Sequence, residues 1–138
     1  MKAKTIYKTV LCGMLFLGTG LTVPANIMTR QAGNFYEYNI SRFQENNYLP
    51  GAKKVSNTQN ETFKVTNISV TEELEAWACD RNNNCISDSS FYKQTNAPQT
   101  KNLNFNKKQD KGDKVTVGFQ NANWSGYNGK VTGWVDYK

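Results

Sequence analysis

Histidine is missing altogether from the 138 residues, which removes imidazole as a catalytic base, a catalytic acid or a metal ligand. No apolar run reaches the ~20 residues needed to cross the hydrocarbon core of a bilayer. Charged residues make up only 20% of the chain and hydrophobic residues 38%. That balance excludes both a membrane bundle and a highly charged disordered chain. Internal repeats and low-complexity tracts are absent as well, and so are sustained helical patterns. Thr71-Glu72-Glu73-Leu74-Glu75-Ala76 starts like a capped helix, but no 3.6-residue period continues beyond it, so a single turn is the most it predicts.

The first 25 residues have the layout of a secretory leader. Lys2, Lys4 and Lys8 precede an uncharged, mostly apolar stretch from Val10 to Val23, and Val23-Pro24-Ala25 offers a cleavage site after Ala25. Cys12 follows Leu11 where a lipoprotein signal would have a small residue, so it is expected to leave with the leader. Residues 26–138 then form one domain with a modest core. Loss of the three leader lysines reduces the net charge from +6 to +3, and a value this small gives nucleic-acid binding little support.

The remaining cysteines, Cys79 and Cys85, flank five turn-compatible residues, Asp80-Arg81-Asn82-Asn83-Asn84. In an exported protein such a pair predicts a disulfide across a hairpin tip. Closing a loop of that length contributes about 2.4 kcal/mol. A redox pair favours two intervening residues, and zinc would need two further ligands. Asp80, Asn82 and Asn84 imitate the start of a calcium loop, but Cys85 and Phe91 stand where that loop requires Gly and Glu. No metal and no other cofactor is expected.

The rest of the chain alternates with period two. Tyr36, Tyr38 and Ile40 are expected on one face. Phe63 and Val65 alternate, and Ile68 and Val70 then take the opposite parity, which predicts a bulge near Thr66-Asn67. Trp77 and Cys79 fall on one side of the next strand, with Leu74, Ala76 and Ala78 on the other. Phe91-Tyr92, Leu103-Phe105, Val115-Val117-Phe119 and Val131-Gly133-Val135-Tyr137 complete about seven strands. Asn128-Gly129 predicts a type I′ turn before the last strand, and Lys111-Gly112-Asp113 a turn before the sixth. Residues 44–60 form the longest linker. This tally predicts an all-β fold, a small antiparallel β-sandwich.

Candidate chemistry is sparse. Serine would need lysine or a carboxylate as its base, and Ser125 sits in a turn rather than a nucleophile elbow. Glu72, Glu73 and Glu75 cluster, but neighbours on a strand edge diverge and cannot flank one glycosidic bond. Lys101, Lys107, Lys108, Lys111 and Lys114 form a basic run that Asp110 and Asp113 interrupt, which suits a solvated loop. The strongest pattern is aromatic. Trp124, Tyr127 and Trp134, with Asn123 beside them, crowd the last hairpin, where ring faces and amides suit glycans or protein partners.

The Glu75-Ala76-Trp77 strand and the closing Val131-Thr132-Gly133-Trp134-Val135-Asp136 string, behind a leader, resemble a family of small secreted proteins of Bacillales and other Gram-positive bacteria classed as a domain of unknown function. The resemblance runs from Phe35-Tyr36 to the end of the chain. It implies an extracellular all-β protein and supplies no catalytic residues. The resulting expectation is a secreted, non-enzymatic binding module acting at the cell surface or in the medium. Its partner would be a cell-wall polymer, another glycan or a secreted protein. A bacteriocin-like or toxin-like effector is the alternative.

Overall fold

Nine antiparallel strands divide between two sheets in a computed structural model that describes residues 32–69 and 71–138. The expected leader, residues 1–25, lies outside the described residues. In chain order the strands are β1 (Ala32–Ile40), β2 (Asn47–Tyr48), β3 (Ala52–Lys53), β4 (Asn60–Ser69), β5 (Glu73–Cys79), β6 (Ser90–Lys93), β7 (Gln99–Asn104), β8 (Lys114–Asn121) and β9 (Gly129–Asp136). A 3-10 turn, Gln94–Asn96, follows β6. One sheet has the order β1-β9-β4-β7. The other runs β2-β8-β5-β6, with β3 also paired to β8. The expected all-β sandwich is therefore the observed fold, with two short strands added to the seven long ones.

Both short strands fall within the expected linker 44–60. Two-residue strands carry no alternation to read, and their pairing with β8 depends on chain that lies far away in sequence. The linker is fastened from both sheets. Leu49 N–H donates to Val117 O at 3.0 Å, Thr116 Oγ1 donates to Leu49 O, Tyr38 OH donates to Tyr48 O at 2.8 Å and Tyr137 OH donates to Pro50 O at 2.9 Å.

The core fills from the inward residues of each strand. Phe35, Phe63, Val65, Ile68, Leu103, Val131 and Val135 face Leu74, Ala76, Ala78, Tyr92, Val117 and Phe119 across the sandwich. Phe63 is its centre. Its ring stacks on Phe35 at 5.5 Å and meets Tyr92 edge-on at 5.4 Å, an arrangement that adds to simple burial. Gly133 makes this packing possible, because a Cβ there would lie 2.0 Å from Lys64 O and 2.7 Å from Phe35 Cζ. On the outer face of the second sheet Trp77 packs against Gly118, and Cys79 is buried beside it.

Bulges explain where the alternation changes. The shift expected at Thr66-Asn67 is present, between Val65 and Asn67 of β4. A second one, between Phe35 and Tyr38 of β1, overturns the expected shared face of Tyr36 with Tyr38 and Ile40. Two residues there oppose one on β9, so Tyr36 points outward and is 74% exposed while Ile40 is buried. Glu37, the other bulged residue, has φ 47°.

Two turn expectations part company. Gly112 takes φ 95° and Asp113 N–H donates to Asp110 O, as a turn there requires. Asn128-Gly129 forms no type I′ turn, since neither residue has the positive φ that this turn demands. Gly129 instead opens β9 where the chain passes close to β4, and a Cβ would lie 2.7 Å from Ser69 O.

The expected disulfide is not formed, and both thiols are free. Cys79 and Cys85 do stand opposite one another as an antiparallel bridge. Cys85, however, is exposed and its Sγ donates to Ser87 O at 3.0 Å, while Cys79 is buried near Gly118. Burial is the main cause that pushes the Cys79 thiol up to about 12. The tip between them is the polar hairpin expected. Asp80 Oδ1 accepts from the N–H groups of Asn82 and Asn84, and Asn83 has φ 63°. Desolvation raises the Asp80 carboxyl, but the hydrogen bonds from Asn84 and Asn82 outweigh it and hold the group below its usual range.

One inward position breaks the apolar rule. Glu61 shares parity with Phe63 and Val65, is fully buried, and neither carboxylate oxygen has a hydrogen-bond partner among the described residues. Burial pushes it well above the usual carboxylate range, with the charge of Lys54 opposing. Lys54 is itself 2% exposed. Its Nζ donates to Thr58 O and lies 4.6 Å from the Phe105 ring centre rather than forming a direct ion pair with Glu61. Desolvation lowers Lys54, and Glu61, Asp113 and Asp110 resist that shift.

Candidate functional site

The loops at one end of the sandwich bring together most of the aromatic pattern. Residues 122–128 join β8 to β9, and residues 41–46 join β1 to β2. Trp124 is 73% exposed and Tyr127 76%. The Trp124 ring meets Phe43 at 5.1 Å with a 40° tilt, and the Arg42 guanidinium sits 5.0 Å from the Phe43 ring centre. Phe43 and Gln44 both take left-handed backbone conformations, φ 59° and 58°. Such consecutive strain in non-glycine residues persists only where the surroundings enforce it.

Here the enforcing contacts are cross-loop hydrogen bonds. Phe43 N–H donates to Ser125 O at 2.9 Å, Gln44 Nε2 to Ala122 O at 2.9 Å and Arg42 N–H to Asn128 Oδ1 at 3.1 Å. Two loops distant in sequence thus form one unit that holds large apolar rings in water. A groove leads away from it. A hollow of about 290 Å³ between Thr71, Glu72, Asn123, Trp124 and Ser125 adjoins a wider one of about 380 Å³. Glu72 and Asn123 line both, and Glu73, Lys93, Gln94 and Thr95 complete the far wall.

Two lining residues are tied together by Asn121, whose Oδ1 accepts from Thr71 Oγ1 and from the N–H of Asn123 at 3.2 Å. Its Nδ2 is buried without a partner among the described residues. The two hollows therefore offer the Trp124 ring at one end, Asn123 and Glu72 between them, and Glu73 with Lys93 at the other. Such a set is chemically able to hold a ligand by stacking and directional hydrogen bonds.

Of the residues expected here from sequence, Trp124, Tyr127 and Asn123 share this end. Trp134 does not. It lies on β9, on the outer face of the other sheet, directly opposite Asn34 and Lys64. Phe43 was missed because an isolated aromatic in a polar linker carries no periodic signal. Glu73 and Glu75 sit on β5, which is paired on both sides, by β6 and β8, rather than on an edge. Glu75 Oε2 accepts from Gln120 Nε2 at 2.7 Å. The lysine run disperses: Lys108 pairs with Asp110 at 3.0 Å and Lys101 Nζ donates to Phe91 O. Among the described residues no cluster of three or more carboxylates or thiols could hold a metal.

No family model and no curated protein sequence matches this chain. Some solved structures resemble it in part. A crystal structure of PirA shares 9% identity at a TM-score of 0.46, over 80% of this chain and 95% of that one. Xylanase 10C of Cellvibrio japonicus, a mutant in complex with xylopentaose, shares 10% identity at a TM-score of 0.41, over 73% of this chain and 24% of that one.

Proposed function

We propose that the protein is an exported, non-enzymatic binding module that takes an extracellular partner at the loop end, with Phe43, Trp124 and Tyr127 as its anchors. The observation that carries this reading is the Phe43–Trp124 pair, held together in water by strained backbone and cross-loop hydrogen bonds. Large rings kept exposed at that cost suit a surface that becomes buried on binding. The partner is a wall polymer, another glycan or a secreted protein, read by ring stacking and by Asn123. Export through the leader would place Cys79 and Cys85 in an oxidising medium. Directly opposed bridge residues there lie within the span of a disulfide. Closure would release two hydrogens to an extracellular oxidant.

The test is binding of purified protein to whole cells, isolated wall polymers and secreted proteins, with albumin as control. Trp124→Ala is expected to weaken the interaction by roughly thirtyfold, the effect of removing a central aromatic anchor. Binding no stronger than to albumin overturns the reading. Growth inhibition or dye leakage of related bacteria, with no binding partner found, would favour a toxin-like effector.

A further inference from the structure

A second feature lies on the outer face of the β1-β9-β4 sheet, away from the loop end. Thr132 of β9 is flanked on both sides by bulges. On β1, Tyr36 and Glu37 are squeezed in between the pairs Phe35–Gly133 and Tyr38–Val131. On β4, Thr66 is the extra residue between Val65–Gly133 and Asn67–Thr132. Bulges that adjoin the same point from two sides open the sheet locally and re-aim side chains, and such features gather beside functional sites. Both are pinned by that threonine: Glu37 N–H donates to Thr132 Oγ1 at 3.1 Å and Thr66 Oγ1 donates to Thr132 O at 3.0 Å.

The result is a shallow dish of about 510 Å³, within the range of small-ligand sites. Tyr36 rises at its rim and Trp134 lies within it. Across the three strands Asn34, Trp134 and Lys64 form one row in direct register. Neighbours in such a row have Cβ atoms about 5 Å apart. A pyranose ring stacked on Trp134 would therefore place its substituents within reach of Lys64 on one side and Asn34 on the other. Lys64 is the single cation in the lining, no carboxylate lines the dish, and Lys64 makes no ion pair among the described residues.

We propose that this dish is a second binding site, for a glycan chain carrying phosphate esters. Tyr36 and Trp134 stack on the sugar, Lys64 takes the phosphate, and Asn34 and Thr132 bond the hydroxyls. A lysine ammonium supplies a compact point charge, and a tetrahedral phosphate presents an oxygen to it from any side. The dish is open and shallow, so it suits a chain lying across the sheet rather than a small molecule enclosed by it.

The experiment uses the full secreted protein with phosphomannan, dextran and polygalacturonate as probes. Phosphomannan is expected to bind at least ten times more tightly than dextran. Tyr36→Ala and Lys64→Gln should each weaken it about tenfold, the scale of one lost stacking or charge contact. Tyr36 is exposed and glutamine preserves most of the lysine stem, so both variants should keep the fold, which circular dichroism checks. Phe91→Ala, at an exposed ring on β6 of the other sheet, should leave phosphomannan binding unchanged, which ties the losses to the dish. Absence of phosphomannan binding, equal binding of dextran, tighter binding of polygalacturonate, or insensitivity to both dish variants would overturn the proposal.

Discussion

Replacing Glu61 by glutamine should remove one loss of stability that the parent protein suffers as pH rises. The carboxyl is fully buried at the start of β4, both oxygens lack partners among the described residues, and burial holds it well above its usual range. A carboxyl raised in the folded state keeps its proton after the unfolded chain has released one. The stability it contributes is therefore complete below the unfolded value, near ~4.3, and declines as pH climbs towards the folded value. One proton corresponds to a slope of about 1.4 kcal/mol per pH unit inside that window. Glutamine keeps the shape and has no proton to lose. The stability of Glu61→Gln minus that of the parent should thus grow by about 1.4 kcal/mol per unit from about pH 5 upward, until the folded value is reached. Subtracting the two curves cancels the groups on which Glu61 does not act; Lys54, whose charged form its carboxylate favours, is not among them. Asp80, held below its usual range, has the opposite sign: its contribution is present above ~3.9 and is lost only as pH falls below that, outside the window. Urea unfolding between about pH 5 and 8 measures the difference. Parallel curves for the two proteins would refute the reasoning, because they would mean that the carboxyl ionises as it does in water.

Gly133→Ala should destabilise the sandwich by about 3 kcal/mol or more, because the new methyl meets a backbone carbonyl and the Phe35 ring together, neither of which is free to move. For a domain of this size that lowers Tm by roughly 12 °C or more, and an unchanged melting curve would contradict the packing of Phe35 beneath β9. In the reduced protein Cys85 should alkylate quickly, whereas Cys79, buried and with its thiol pushed up to about 12, should resist until the chain unfolds. Mass spectrometry of a labelling time course reads this directly, and equal rates would contradict the burial of Cys79.

Most strands were legible because their inward apolar residues recur at every second position, as in Val115-Val117-Phe119 and Leu74-Ala76-Ala78. The bulge at Thr66 could be read from the change of parity between Val65 and Ile68. That at Tyr36-Glu37 could not, because Tyr36, Tyr38 and Ile40 keep a regular period through it and only the register with β9 shows the slip. Glu61 carried a readable signal, a charged residue in parity with Phe63 and Val65. Its lack of a partner is a matter of which side chains the opposite sheet brings near. The aromatic end was half legible: Trp124, Tyr127 and Asn123 lie within one loop, but Phe43 reaches them from another. Trp134 sits near them in sequence and is carried to a different face by the direction of β9.

Local patterning alone determined that this chain is all β, where its long strands run and which side of most of them faces inward. Those properties depend on the two-residue period of an extended backbone and on the burial of apolar surface, both written in adjacent residues. Tertiary structure decided which loops meet, how the strands are registered and which polar groups are left without partners. Pairing joins segments distant in the chain, and a shift of one residue reverses every side chain that follows, so the exposed Phe43–Trp124 pair and the dish around Thr132 exist only once the sheets have assembled.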